Sequence, residues 1–170
     1  MQLERTLIIF KPDAVQRGLV GEILARFEKV GLKIVGNKML RPTKDHYYHH
    51  YENIGKVISR RGQKVFEVTL DMMNAGPVIA FVLEGVEAAA LVRKMVGATE
   101  PKSALPGTVR GDYSHISYGH ADTNEIGIPN LMHASGDAAE AVLEIEHWFK
   151  PEELFDYETA HEKFTQPKKK

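Results

Sequence analysis

The sequence contains no cysteine. That excludes a disulfide framework, a thiolate zinc site and a cysteine nucleophile, and it suits a reducing compartment. An excess of one charge is lacking too. With 22 Lys and Arg against 23 Asp and Glu, no overall field draws the chain onto nucleic acid or an anionic membrane. Only Lys168, Lys169 and Lys170 make a local basic run, read as part of a solvated, flexible tail from about residue 160 onward. Long hydrophobic runs are also missing. Leu7 to Phe10 is too short for a signal-peptide core or a membrane span and meets Lys11 at once, so a soluble, cytoplasmic protein is expected. Finally, no glycine-rich phosphate loop occurs. Gly31 and Gly36 come nearest, but Asn37 stands where a phosphate-loop lysine belongs, and no dinucleotide or protein-kinase fingerprint appears. Any nucleotide must therefore be held by side chains.

What is present is ordinary globular material, 170 residues with 43% hydrophobic, enough for a single domain spanning 1–170 with one sizeable core. Thr6 to Phe10 is β-branched and aromatic without a polar break, as in a strand covered on both faces. Leu19, Val20, Ile23, Leu24, Phe27 and Val30 recur at helical spacing before Gly31, and Leu32 to Leu40 alternates as a second strand. Thr43 is placed to cap a short helix through Tyr51, Asn53 to Lys64 reads as a polar loop, and Val65 to Met73 is helical again. Pro77 to Leu83 is another apolar strand. The helix Val86 to Val96 buries Ala88, Leu91, Val92 and Met95. A long Gly- and Pro-rich stretch, 97–129, precedes a last strand at Asn130 to His133 and a closing helix from Asp137 to His147. The order predicts an α/β sandwich of ferredoxin-like βαββαβ type, with a four-stranded antiparallel sheet and helices on one face.

Three places carry candidate chemistry. Lys11, at the end of the first strand and turned by Pro12, can meet a phosphate as a point charge, or it is a solubilising strand-end lysine. Arg93 lies near a helix C-terminus, where the dipole alone favours a cation, but with Thr99 and Arg110 in the following loop it could help clamp a polyphosphate. His133 follows an apolar strand and precedes a small-residue turn; a lone histidine there is more often structural. Behind it, the stripe Ala138, Ala141, Val142, Ile145 and Trp148 puts Glu144 at the stripe's border, where a half-buried carboxylate could hold one ring nitrogen and leave the other free as a nucleophile. His46, His49 and His50 share helical spacing, yet interleaved Tyr47, Tyr48 and Tyr51 favour a half-exposed polar face over a metal site. His115 and His120 read as solvent-facing.

Taken together, several segments resemble the nucleoside diphosphate kinase family. They are Arg5-Thr6 through Lys11-Pro12-Asp13, Val15 to Ile23, Gly76-Pro77-Val78, Pro106 to Asp112, Asn130-Leu131-Met132-His133-Ala134-Ser135 and Trp148 to Leu154. The match keeps its order along nearly the whole chain. The resemblance implies a ping-pong transfer of the γ-phosphoryl group from a nucleoside triphosphate, ATP included, to a nucleoside diphosphate, with His133 as the phosphorylated residue. It further implies that Glu144 orients the imidazole, that Ser135 supports the turn, and that Lys11, Tyr51, Arg93, Thr99, Arg110 and Asn130 contact phosphates or ribose. Phe66 would stack on the base. Mg2+ would ride on the nucleotide's phosphates, and the protein would be a homo-oligomer, a hexamer or a tetramer.

The chain departs from the family pattern by about six extra residues between Tyr51 and Asn74 and about ten between Arg110 and Asn130, in loops that tolerate insertion cheaply. Gly136 also intervenes between Ser135 and Asp137. A competing class, a nucleotide-binding regulatory protein with little turnover, would have lost the histidine or lysine, and both are kept. An RNA-binding ferredoxin-like module would need exposed sheet aromatics and a basic surface, which the strands and the charge balance do not supply.

Overall fold

The computed structural model describes residues 3–165; the lysine run at 168–170 lies outside the described residues. Four antiparallel strands form one sheet in the order β2-β3-β1-β4: β1 (Leu3–Phe10), β2 (Lys33–Leu40), β3 (Val78–Val86) and β4 (Met132–Ala134). β1 pairs with β3 on one side and with β4 on the other, which explains its unbroken apolar run: neither edge nor face meets water.

Alternation along β1 divides the interior. Ile8 and Phe10 join one cluster with Ala14 of α1 (Pro12–Gln16), Ile23 and Phe27 of α2 (Val20–Lys29) and Val92 of α6 (Ala88–Val96). Leu7 and Ile9 join a second cluster with Tyr47 of α3 (Lys44–Tyr48), Phe66 of α5 (Gln63–Asn74) and Ile145 and Trp148 of α9 (Ala138–Trp148). Helices therefore cover both faces, not one as expected. The second face is closed by the added helices, which hide strand positions that would otherwise be wet.

Other boundaries shift for identifiable reasons. α3 begins under the Thr43 cap and runs on as a π-helical stretch, His49–Ile54. The expected loop Asn53 to Lys64 holds α4 (Val57–Arg61), bracketed by Lys56 at φ 52° and Gly62 at φ 91°. Within 97–129 lie α7 (Val109–Tyr113) and α8 (Tyr118–Thr123), capped by Thr108 and Ser117. On α6 the fully buried positions are Ala88, Ala89, Val92 and Val96, with Leu91 and Met95 only half-buried. On α9, Ala138 and Val142 face solvent, and the buried stripe is Ala141, Glu144, Ile145 and Trp148. Within the expected tail, Glu162 of α10 (Glu162–Thr165) pairs with Lys33.

Candidate active site

The sheet's two-residue period aims the central imidazole. On β4, Met132 and Ala134 enter the α2/α6 cluster, so His133 points to the opposite face, beside its β1 partner Ile9 and under α9. There its Nε2 lies 2.7 Å from Glu144 Oε1. The ring hydrogen is not lined up for a straight bond, so this is a close imidazole–carboxylate contact. Glu144 is 1% exposed, not at the border of its helix stripe as the periodicity suggested. Its other oxygen accepts from Ser135 Oγ at 2.7 Å, and Ser135 Oγ in turn accepts from the Leu7 amide at 3.1 Å. Burial penalises the Glu144 charge, but His133 and Ser135 outweigh it and hold the carboxyl below its ordinary pKa.

His50 sits behind His133, the two rings 4.6 Å apart and edge to face. It was expected on a half-exposed helix face; it is 2% exposed. Its Nδ1 accepts from Trp148 Nε1 at 3.2 Å. Burial, then the neighbouring His133, push its pKa well down, so this ring is a neutral wall. Spacing cannot distinguish it from His46 and His49, since only the packing of α9 separates them.

Cations line the same cleft, a hollow of about 300 Å³. Lys11 Nζ donates to Asn130 Oδ1 at 2.7 Å, and Asn130 Nδ2 donates to the Thr99 carbonyl at 2.8 Å. Arg110 is held by three carbonyls: Asn130 at 3.1 Å, Gly97 at 3.1 Å and Met132 at 2.6 Å. Two of these carbonyls flank Leu131, whose φ of 73° and the Met132 amide bonded to Asn130 O at 2.9 Å make a tight turn. Such a φ in a bulky residue is strained by roughly 1–3 kcal/mol and persists only where its surroundings enforce it. Asp13 Oδ2 does so, accepting the Leu131 amide at 3.0 Å. Gly97, at φ 85°, gives up its carbonyl where a Cβ would lie 2.5 Å from Thr108 Oγ1.

Burial, then Arg110, lower the Lys11 pKa to about 8 against the pull of Asp13. Burial, then Arg93, lower Arg110 to about 10, which leaves it charged at neutral pH. Among the described residues no carboxylate lies within 4.0 Å of Lys11, Arg93 or Arg110. Cations left so are prepared for an anion from outside. The contrast is Lys33 at a hollow of about 120 Å³, fully neutralised by Glu84, Asp156 and Glu162.

Lys11, Tyr51, Arg93, Thr99, Arg110, Asn130, His133 and Glu144 all line the one cleft, and Ser135 stands behind it. Tyr51 Oη is buried without a partner, and burial keeps it protonated. Phe66 requires correction: it is 4% exposed, packed into the second core and edge-on to Tyr48 at 5.6 Å. Helical geometry turns its neighbours Val65, Thr69 and Met72 to the cleft instead. Arg60 and Arg61 also line the cleft; the polar segment that holds them was expected as a cleft wall, but neither arginine stood out within it.

Among the described residues no side-chain cluster suits a magnesium cage. The described His, Asp and Glu side chains close enough to share an ion are His50, His133 and Glu144, and two imidazoles with one dry carboxylate do not suit an ion that demands octahedral oxygen.

The family model "Nucleoside diphosphate kinase" matches residues 4–154. A nucleoside diphosphate kinase of Pyrococcus furiosus is 46% identical, the alignment covering 99% of this chain and 96% of that one. Among solved structures, the Borrelia burgdorferi nucleoside-diphosphate kinase with bound vanadate and ADP, a transition-state mimic, superimposes with a TM-score of 0.92 at 42% identity, covering 96% of both chains. A Halobacterium salinarum nucleoside diphosphate kinase in complex with CDP gives 0.81 at 36% identity, covering 96% of this chain and 99% of that one.

Proposed function

The chain belongs to the nucleoside diphosphate kinase family, and we propose that it transfers the γ-phosphoryl group between nucleotides through a phosphohistidine at His133. The observation that carries this reading is one ring nitrogen of His133 engaged by a buried carboxylate at 2.7 Å, inside a cleft whose cations lack carboxylate partners. With Nε2 set against the Glu144 carboxylate, the neutral ring keeps its proton on that side and leaves the lone pair on Nδ1 as the nucleophile. In the first half-reaction Nδ1 forms a bond to the γ-phosphorus as the β,γ-bridging P–O bond breaks, and the nucleoside diphosphate leaves with that oxygen. In the second, a terminal oxygen of another nucleoside diphosphate attacks the phosphohistidine and the P–N bond breaks. Charge developing on the ring is met by Glu144, and that on the phosphoryl oxygens by Lys11, Arg93 and Arg110. Tyr51, Thr99 and Asn130 complete the nucleotide contacts. The ADP and CDP held by the two similar structures support a cleft that accepts purine and pyrimidine alike, with Val65 and Met72 the apolar wall available to a base.

Mg2+ enters as part of the substrate, on the phosphates and their waters, since the cleft lacks an oxygen cage. The absence of cysteine fits cytoplasmic work. No described helix is long and apolar enough to cross a membrane. The outer edge of β2 and the exposed Met39 and Leu105 offer surfaces for a homo-oligomer, hexamer or tetramer, which sizing chromatography distinguishes.

Incubation with γ-labelled ATP should leave an acid-labile label on His133 that GDP removes as GTP. If His133→Asn still exchanges phosphate at the parent rate, the reading falls. A label that GDP cannot chase would instead indicate a binding protein with little turnover.

A further inference from the structure

Two segments meet across the mouth of the cleft. α4 brings Arg60 and Arg61 to one wall, and Ile128, beyond α8, stands in the other. Between them Arg61 Nη1 donates to Tyr118 Oη at 3.2 Å, its guanidinium carbon 5.3 Å from the tyrosine ring centroid. Tyr118 opens α8, and its amide donates to Glu100 Oε1 at 2.9 Å. Lys64 and Glu125 add an outer tie at 2.5 Å. The backbone is unusual at three points here, with Lys56 and Glu125 both at φ 52° and Gly62 at φ 91°. Side chains seldom hold that conformation unless their position is specified.

Arg61 does not behave as the other paired arginines do. Arg5 meets Glu84 at 2.8 Å and Arg26 meets Asp112 at 2.7 Å, whereas no described carboxylate lies within 4.0 Å of Arg61. Arg60 is partly spent on the Gly55 carbonyl at 3.3 Å. Arg61 has one neutral hydroxyl, which occupies a single N–H of five. Its charge also reaches Lys11, adding to the pressure on that buried ammonium. Two cations that repel in the empty cleft gain together when a polyanion lies between them.

We propose that Arg61 is a further phosphate-binding residue, aimed across the cleft mouth by Tyr118, so that α4 and the α8 segment form a two-helix clasp on the nucleotide's polyphosphate. This rests on the nucleotide reading of the cleft. Arg61 supplies a forked donor to phosphate oxygens, and Tyr118 acts as its positioning residue by accepting one guanidinium N–H at its hydroxyl. No bond is made or broken by either.

Calorimetric titration of the full-length protein with ADP and with AMP, at low salt, tests this. Arg61→Ala should weaken ADP by about 10-fold and AMP by less than about 3-fold, as expected for losing one charge-assisted phosphate contact at a partly exposed site. Arg61→Lys should recover part of the loss, and the melting temperature should not move. Tyr118→Ala should weaken ADP by a smaller factor, about 3-fold, through lost aim. Parent-like ADP affinity in Arg61→Ala would overturn the assignment. So would equal weakening of ADP and AMP, or a fall in melting temperature that tracks the affinity. Arg93→Ala is the companion variant. If it weakens ADP while Arg61→Ala does not, only the clasp is wrong; if neither weakens ADP, the nucleotide reading of the cleft is wrong with it.

Discussion

The floor and the mouth of the cleft are built on opposite plans. On the floor, His133 rests on Glu144, Glu144 on Ser135 and Ser135 on the β1 backbone, while Arg110 is fixed by three carbonyls. Glu144, Ser135, Arg110 and Lys11 are all buried. At the mouth, Arg60, Arg61 and Lys64 are exposed and their ties are few. Phosphoryl transfer tolerates little misplacement of its in-line atoms, so the floor has to be rigid before substrate arrives. Nucleotides must enter and leave, so the mouth has to yield. Rigidity is concentrated where bonds change and withheld where ligands pass.

The contrast makes graded demands. Arg110→Ala removes a floor cation and takes a donor from three carbonyls, and should lower kcat/KM on the order of 10²–10³-fold with a lower melting temperature; a loss of only a few-fold would break the idea of a pre-set floor. Glu144→Gln should reduce kcat on the order of 10–100-fold with KM little changed, by analogy with groups that orient a ligating imidazole. A change in KM alone would make Glu144 a binding residue rather than an orienting one.

pH sharpens the comparison next. The folded Lys11 value of about 8 lies below its ordinary 10.5, so keeping that ammonium charged costs stability in the empty protein. The cost is fully present below about pH 8 and is relieved as pH rises from there toward 10.5. Affinity for ADP should fall over the same rise, because the phosphate loses its cation. Lys11→Met should flatten both dependences in a paired melting and binding series. The smallest effect is expected at Phe66: Phe66→Leu should cost about 1 kcal/mol of stability and leave the KM ratio for ADP and GDP unchanged. A shifted ratio would return Phe66 to the base pocket.

Periodicity made the frame of this molecule legible and left its tertiary neighbours obscure. The buried runs at 6–10 and 77–83 and the stripe of α2, apart from the exposed Val30 beyond its end, appear as expected because burial on both faces, or on one helix face, writes a period into the sequence. α4 was hidden because Val57–Arg61 is too short for a stripe and starts from a left-handed lysine, not a capping side chain. Glu144 was placed at a border because α9 spends apolar residues on solvent, Val142 and Leu143 each being 55% exposed. The partners of His133 on the floor, His50 above all, are set by the docking of α9 against α3 and its continuation, a contact between residues about a hundred positions apart that no local pattern encodes. Phe66 illustrates the converse: an aromatic near a cleft in sequence is turned from it by one step of the helix.

The way Arg110 is anchored bears on how this site can change over generations. Its three acceptors are main-chain oxygens, and every residue type carries one. Replacing the Met132 side chain with another that fits the core would leave that acceptor in place, so the arginine is insulated from drift there. Lys11 has no such insurance, since its acceptor is the side-chain oxygen of Asn130, an atom that a single codon change removes. Two cations in one cleft thus have different mutational robustness, one inherited through the backbone's path and the other through a single amide.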